Sequence, residues 1–432
     1  MDINHNGIVD ELTSGNWVNP TTKKNISIPI KKIEILESTN GLEFDLINKV
    51  HKNKKILIIS DLNTHDILGS NIYQNLKGKL DVSEYIWKNP SSDSKNIEEI
   101  QNASKDYSAL IAIGSGTICD SVKYVSFLEK KEYSVFATSP MNAYTSFNAS
   151  ISFDGEKKSI SAIPPKGVFF DLSVISNCPK RLISAGFADV ICRTTSQVDW
   201  LFSNILFKTF YDETPYYLLN LYEEQAINRA TDIKNGEVNA LSLLIKLTVL
   251  MGIGTMITGT SHLGSMAEHN ISHFLDMCSK EKHSNTSHGE QVGIASVTIS
   301  KIQNKIFNLN SPPKIYPTII PEKKLIEIYG NLIYQKIKNQ IKKKALDEKK
   351  TIIINNFLEE NWEDIKIKIK KVMLPYNKLW DSLGNCGSLR LPKEGNIDIN
   401  LYKDAIKYGR FIRDRYTILD FAGDSNMLEE FI

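Results

Sequence analysis

The sequence predicts an α/β N-terminal domain followed by an all-α C-terminal domain. Three observations carry this expectation. Short apolar runs bounded by turn residues alternate with helical segments from about residue 31 to residue 178. No strand pattern follows Cys178-Pro179, where helical periodicity takes over. A chain of 432 residues exceeds one small core and suits two domains, expected at 1–178 and 179–432.

In the first half, Lys55-Ile56-Leu57-Ile58-Ile59-Ser60 ends at Asp61, and Ala109-Leu110-Ile111-Ala112-Ile113 ends at Gly114. Continuous apolar runs of this kind are strands of a parallel sheet buried on both faces. Ser134-Val135-Phe136-Ala137-Thr138 is a third. Ile151-Ser152-Phe153 and Ser159-Ile160-Ser161-Ala162 flank Asp154-Gly155, a dipeptide that suits a hairpin turn. The segments 91–96 and 311–321 read as loops. The longest apolar stretch, 241–257, is short for a membrane span, carries Lys246 and contains Gly252 and Gly254, so it is expected to be a buried helix.

Composition narrows the function classes. With 41% hydrophobic and 24% charged residues and a net charge of +2, the chain is expected to be soluble and globular. Its Lys-rich stretches, 336–350 and 366–371, alternate lysine with isoleucine and lack aromatic interleaving, which marks solvated helix faces and no nucleic-acid site. Cys119, Cys178, Cys192, Cys278 and Cys386 are odd in number and scattered, so no disulfide framework is expected and a reducing, cytoplasmic setting is. The polar first 15 residues lack a secretory pattern.

Chemistry concentrates in a few segments. His269 and His273 are four residues apart and share one helix face, and His288 begins the next helix after a Ser287-x-x-Glu290 capping box. Each histidine alone reads equally as a polar helix residue. Asp189, in Gly186-Phe187-Ala188-Asp189, is placed early in a long helix through Trp200, where it reads as a dipole or capping residue. Together with His269 and His288 it offers one carboxylate and two imidazoles, a donor set that leaves a coordination position open. Gly114-Ser115-Gly116-Thr117 closes a strand and opens a helix through Asp120 and Lys123, so free backbone N–H groups point at one spot. That spot suits a pyrophosphate, or is simply a turn, with Thr117 donating a hydroxyl or capping the helix. Asp61 is placed to accept from a ribose hydroxyl or to cap the turn Asn63-Thr64.

Taken together, Asp61-x-Asn63-Thr64, Gly114-Ser115-Gly116-Thr117-Ile118-x-Asp120-x-x-Lys123, Ala185-Gly186-Phe187-Ala188-Asp189, Glu268-His269-x-x-Ser272-His273, His288-Gly289-Glu290-Gln291-Val292-Gly293 and Ile412-Arg413-Asp414-Arg415-Tyr416-Thr417 resemble the sn-glycerol-1-phosphate dehydrogenase family. That family sits with iron-containing alcohol dehydrogenases, glycerol dehydrogenases and dehydroquinate synthases. The resemblance implies a dehydroquinate synthase-like fold: an α/β dinucleotide-binding domain plus an all-α metal-binding domain. It implies NAD or NADP at Asp61, Gly114, Ser115, Gly116, Thr117, Asp120, Thr138, Ser139 and Ser146. It implies a divalent metal, zinc before nickel or iron, on Asp189, His269 and His288, and His273 near the reacting centre.

The implied reaction is reduction of a small phosphorylated ketone, dihydroxyacetone phosphate, to sn-glycerol 1-phosphate. A homodimer or larger homo-oligomer is expected on base rates, and composition predicts no membrane span and no nucleic-acid partner. Two departures bear on the substrate. Asn142-Ala143 stands where the family has Asp-Gly, so Asn142 keeps hydrogen-bonding length but loses charge. His262-Leu263-Gly264 replaces Arg-Pro-Ala, removing a guanidinium. The alternatives are another ketone or polyol on the same scaffold, or a lyase or cyclase of the dehydroquinate synthase kind.

Overall fold

Six parallel strands form one sheet in the computed structural model, which describes residues 5–153, 156–278 and 285–431. From edge to edge they run Lys32–Leu36, Gly167–Asp171, Glu132–Ala137, Ala109–Gly114, Ile56–Asp61, Val82–Trp87. The expected strands at 55–60, 109–113 and 134–138 are among them. The apolar runs fill the middle because both sheet faces are covered: every residue of Ala109–Gly114 is buried, as are five of six in Ile56–Asp61. After Ile56–Asp61 the chain turns toward one edge, and after Ala109–Gly114 toward the other. These neighbours therefore flank a topological switch point, and their carboxyl ends, Asp61 and Gly114, border the crevice where open α/β sheets take ligands. The strands Asn148–Phe153 and Glu156–Ser161 pair antiparallel as expected, while their Asp154-Gly155 turn lies outside the described residues.

The chain divides into two compact units, Met1–Gly186 with Glu213–Thr260, and Phe187–Asp212 with Ser261–Ile432. This division does not coincide with a single boundary at 178/179. Helices Thr214–Asn228 and Val238–Thr258 belong with the sheet, and a steric detail shows why. A Cβ on Gly252 would stand 2.1 Å from Thr145 Oγ1 and 2.9 Å from the Asn142 carbonyl, so the helix backbone lies directly against the 142–146 segment. Thr145 Oγ1 in turn donates to the Val249 carbonyl at 3.0 Å. Val238–Thr258 is longer than the stretch read from sequence and is long and apolar enough to cross a membrane, but it is mostly buried within its unit, with Lys246 only 9% exposed.

The regular elements of the second unit are all helices among its described residues. Its core gathers Phe202, Ile271, Phe274, Ile294, Ile299, Trp362 and Phe421. In the Ile-Lys alternation, Ile365 and Ile369 face this core and Ile367 is exposed, as a solvated amphipathic face requires. None of the five cysteines forms a disulfide among the described residues. Two expectations need correction. The long helix through Trp200 is two helices, Lys180–Ile191 and Arg193–Phe207, broken at Cys192, so Asp189 sits in a last turn rather than a first. The loop at 91–96 is shorter than expected, because Asp93 caps a helix that begins at Ser94.

Two predictions follow from this packing. Gly252→Ala should lose about 1–3 kcal/mol of stability, read as a lower urea midpoint at unchanged slope, because the methyl group meets backbone on the facing segment. His51 is fully buried, 2.7 Å from Ser134 Oγ, and burial drives its pKa from 6.5 down to about 4 despite Glu132 nearby. The unfolded chain therefore binds the extra proton between those values, and stability falls as pH drops through that window. In His51→Gln the loss between pH 6.5 and 4 should shrink, by at most about 3 kcal/mol, in urea titrations repeated along the pH series.

Candidate metal centre and nucleotide loop

In the sheet-bearing unit, the turn after Ala109–Gly114 is built for close approach. Gly114 has φ of +157°, and a Cβ there would stand 2.8 Å from Ile118 Cγ1. Ser115 is extended and caps the helix Gly116–Glu129 without a side-chain bond, which leaves the first backbone N–H groups of a 14-residue helix to a ligand. Thr117 lies within the first turn and does not cap it; its carbonyl accepts from Ser92 Oγ at 3.3 Å. Asp61 takes the capping role: its carboxylate accepts from the Thr64 N–H at 2.7 Å and from Thr64 Oγ1 at 3.0 Å.

The segment after Glu132–Ala137 is fastened beneath this loop. Lys123 is fully buried, and its ammonium donates to the Ala143 carbonyl at 2.6 Å and the Asn148 carbonyl at 2.7 Å. Asp120 stands 3.2 Å from the same nitrogen and accepts from the Ser150 N–H at 3.0 Å. Ser146 Oγ donates to the Asn148 carbonyl at 3.2 Å. Asp120 and Ser146 thus spend their polar atoms on the frame that holds Asn142. Ser139 Oγ and the Tyr144 hydroxyl are 3.1 Å apart, and Tyr144 donates to the Gly114 carbonyl, joining the 138–146 segment to the glycine turn. Thr138 is almost wholly buried beside it.

In the helical unit, Asp189, His269 and His288 converge. Asp189 Oδ1 lies 3.7 Å from His269 Nε2 and 3.8 Å from His288 Nε2, and the three donor atoms fall within 4.8 Å of one another. Donors about 2.0–2.2 Å from a common tetrahedral ion are separated by roughly this much. The tautomers agree. His269 Nδ1 lies 3.0 Å from the Glu268 carboxylate, which only accepts, so Nδ1 carries the proton and Nε2 presents its lone pair. Ser272 Oγ gives its one proton to Gln291 Oε1 at 2.8 Å, so at 3.1 Å from His288 Nδ1 it must accept, and His288 Nε2 is likewise a lone-pair donor. The Gln291 amide is oriented by its own donation to Asp276 at 3.2 Å.

Charge around the triad is arranged to match. Burial raises the Asp189 pKa, with Glu268 adding to it and His269 opposing. Burial also works against Glu268, but His269, the Met266 N–H and Ser196 outweigh it and hold its pKa below the ordinary value. A carboxylate in the last turn of a helix opposes the helix dipole, so Asp189 gains nothing there as a structural residue. His273 has its ring centroid 6.1 Å from that of His269 and 6.0 Å from that of His288, and its Nε2 accepts from Arg413 at 2.7 Å. A second set, Cys192, Glu268 and His269, also clusters. Burial and the neighbouring carboxylates push the Cys192 thiol well above its ordinary pKa, which disfavours the thiolate a metal needs.

The sequence did not single out Glu268, Ser272, Lys123 or Arg413 for roles. Glu268 had a visible signal, a carboxylate beside a candidate ligand, whereas the other three act through contacts remote in sequence. Glu268→Gln should weaken divalent-metal binding about 10–100-fold, measured by competition with a chromophoric chelator. An unchanged affinity would exclude Glu268 as the group that orients His269.

Residues 37–179 match the family described as iron-containing alcohol dehydrogenase. A glycerol-1-phosphate dehydrogenase [NAD(P)+] of Halalkalibacterium halodurans is 28% identical over 256 residues, covering 57% of this chain and 64% of that protein. The chain thus spans just under two thirds of that relative's length. The enzyme of the same name from Pyrococcus furiosus is 28% identical over 283 residues, covering 63% of this chain and 80% of its own. Among solved structures, glycerol dehydrogenase from Schizosaccharomyces pombe superposes with a TM-score of 0.61 at 14% identity, over 93% of this chain and 89% of that one. That likeness concerns the fold.

Proposed function

We propose that this chain, which belongs to the iron-containing alcohol dehydrogenase superfamily, is a metal-dependent NAD(P)H oxidoreductase that reduces dihydroxyacetone phosphate to sn-glycerol 1-phosphate. The observation that carries the reading is the convergence of Asp189 Oδ1, His269 Nε2 and His288 Nε2, with both imidazole tautomers set for coordination by Glu268 and Ser272. A divalent metal there supplies Lewis-acid polarisation of a ketone oxygen, and a reduced nicotinamide supplies hydride.

The chain's own residues do the rest. Backbone N–H groups at Ser115, Gly116 and Thr117 bind the cofactor's phosphates at the helix start. Asp61 and Asp120 support that site from the turn and the helix, and Thr138, Ser139 and Ser146 support the segment that covers it. Asn142, framed by Lys123, holds a substrate hydroxyl through its side-chain amide. His273 accepts from Arg413 at Nε2, so its proton resides on Nδ1, and that N–H can donate a hydrogen bond toward the reacting oxygen while water supplies the proton. Zinc fits two nitrogens and one carboxylate, as do nickel and iron.

A second reading retains the metal and cofactor but takes another small ketone or polyol. Asn142 favours it, because an amide brings a donor where a carboxylate only accepts.

The test is purification with metal quantification, followed by NADH and NADPH oxidation with dihydroxyacetone phosphate and a panel of other ketones. Metal-dependent turnover of dihydroxyacetone phosphate, lost in His269→Ala, is the expected outcome. Turnover that survives chelation and His269→Ala would overturn the metal-dependent reading, and turnover confined to another ketone would select the second one.

A further inference from the structure

The glycine turn that opens Gly116–Glu129 is held by a buried side chain from a later connection of the same unit. Tyr144 is fully buried and ends the short 3-10 turn Asn142–Tyr144. Its ring packs edge-on against Phe170 of the sheet, with centroids 5.8 Å apart and planes at 79°, so the hydroxyl is aimed from a fixed ring.

That hydroxyl has one proton and two partners. The Gly114 carbonyl, 3.1 Å away, can only accept, so the proton points there. Ser139 Oγ, also 3.1 Å away, must then donate to Tyr144. Ser139 therefore has no proton left for a phosphate oxygen. Burial pushes the Tyr144 pKa up, which keeps its own proton in place.

The consequence lies across one peptide plane. The Gly114 carbonyl and the Ser115 N–H belong to the same trans peptide unit, in which oxygen and hydrogen point in opposite directions. A hydroxyl that fixes the oxygen also fixes the direction of the N–H. Accepting the bond polarises the peptide as well, so the N–H becomes a stronger donor. Gly114 brings no side chain to restrict its own rotation, and the restraint has to come from outside. The donors thus run one way, from Ser139 to Tyr144 to the Gly114–Ser115 peptide, and Ser115 itself is only half-buried.

The same two segments touch at a second point. A Cβ on Gly116 would stand 3.0 Å from Met141 Cε, so Met141 lies against the turn. Asn142 is bracketed between this contact and the one made by Tyr144, two residues on.

We propose that Tyr144 is a positioning residue: its hydroxyl, held by Ser139, aims the Ser115 N–H at the cofactor's phosphate, and its backbone carries that restraint to Asn142. This rests on the nucleotide site proposed above and on no particular ketone. Ser139 acts through Tyr144, not on the phosphate.

The experiment is fluorescence titration of the full, metal-loaded chain with NADH and NADPH, in the unaltered protein, Tyr144→Phe, Ser139→Ala and the double variant, with urea midpoints alongside. Tyr144→Phe should weaken the tighter of the two nucleotides about three- to tenfold, the effect of one misdirected hydrogen bond. Ser139→Ala should weaken it about two- to threefold, and should cost less than that in the Tyr144→Phe background, where the relay is already cut. A lower urea midpoint with unchanged nucleotide affinity would make Tyr144 structural only and overturn the proposal, as would losses that simply add. If Tyr144→Phe fails to fold, Ser139→Ala decides, and an unchanged affinity there counts against the relay. Binding of neither nucleotide would remove this proposal together with the cofactor reading. Affinities that follow the prediction without turnover of dihydroxyacetone phosphate leave the role of Tyr144 standing and remove the activity proposed above.

Discussion

The metal centre proposed for the helical unit depends on one constraint: two imidazoles must present Nε2 lone pairs to the same point as the Asp189 carboxylate. The chain meets it from three helices. Asp189 comes from the last turn before the break at Cys192, His269 from the first turn of Ala267–Cys278, and His288 from the first residue of His288–Phe307. The tautomers are fixed by two independent chains of hydrogen bonds. One runs from His269 to Glu268, which is itself held by Ser196 Oγ at 2.8 Å and the Met266 N–H at 2.7 Å. The other runs from His288 through Ser272 and Gln291 to Asp276. Asp199 lies near the first chain; burial and the Glu268 charge push its pKa well above the ordinary value, and its carboxylate accepts from Gln303 at 2.9 Å.

In the sheet-bearing unit the constraint is steric, and it suits the close approach of the anionic ligand proposed there. Gly114 must be glycine because its φ and the Ile118 side chain exclude a Cβ. Gly186 must be glycine because a Cβ there would stand 2.1 Å from the Pro140 carbonyl oxygen. With Gly252 against Thr145, these contacts hold the 138–146 segment from two directions while Lys123 holds it from beneath. The segment that carries Asn142 is therefore held from several sides, which suits the positioning role proposed for it.

Much of this was legible in the sequence, for reasons that differ by residue. The strands at 56–61 and 109–114 were legible because strands buried on both faces are apolar without interruption. The capping box at Ser287 and Glu290 was legible because it is local, and the structure forms it, with the Ser287 N–H donating to Glu290 at 2.7 Å. The proximity of His269 to His273 follows from helical spacing alone. The break at Cys192 was not legible, since neither glycine nor proline marks it. Nor was the membership of Val238–Thr258, because an all-round apolar helix reports that it is buried but not against what. The change at position 262 read as a lost cation, and sequence pattern could not reveal that Arg413 and Arg415 reach Ser265, some 150 residues away.

The most direct measurement is anomalous X-ray scattering from crystals of the zinc-loaded protein. The account predicts a single strong peak bonded to Asp189 Oδ1, His269 Nε2 and His288 Nε2 at about 2.0–2.2 Å, with Glu268 and Ser272 on the far nitrogens of the two rings. A peak on Cys192, Glu268 and His269, or a protein that takes up no metal, would contradict it.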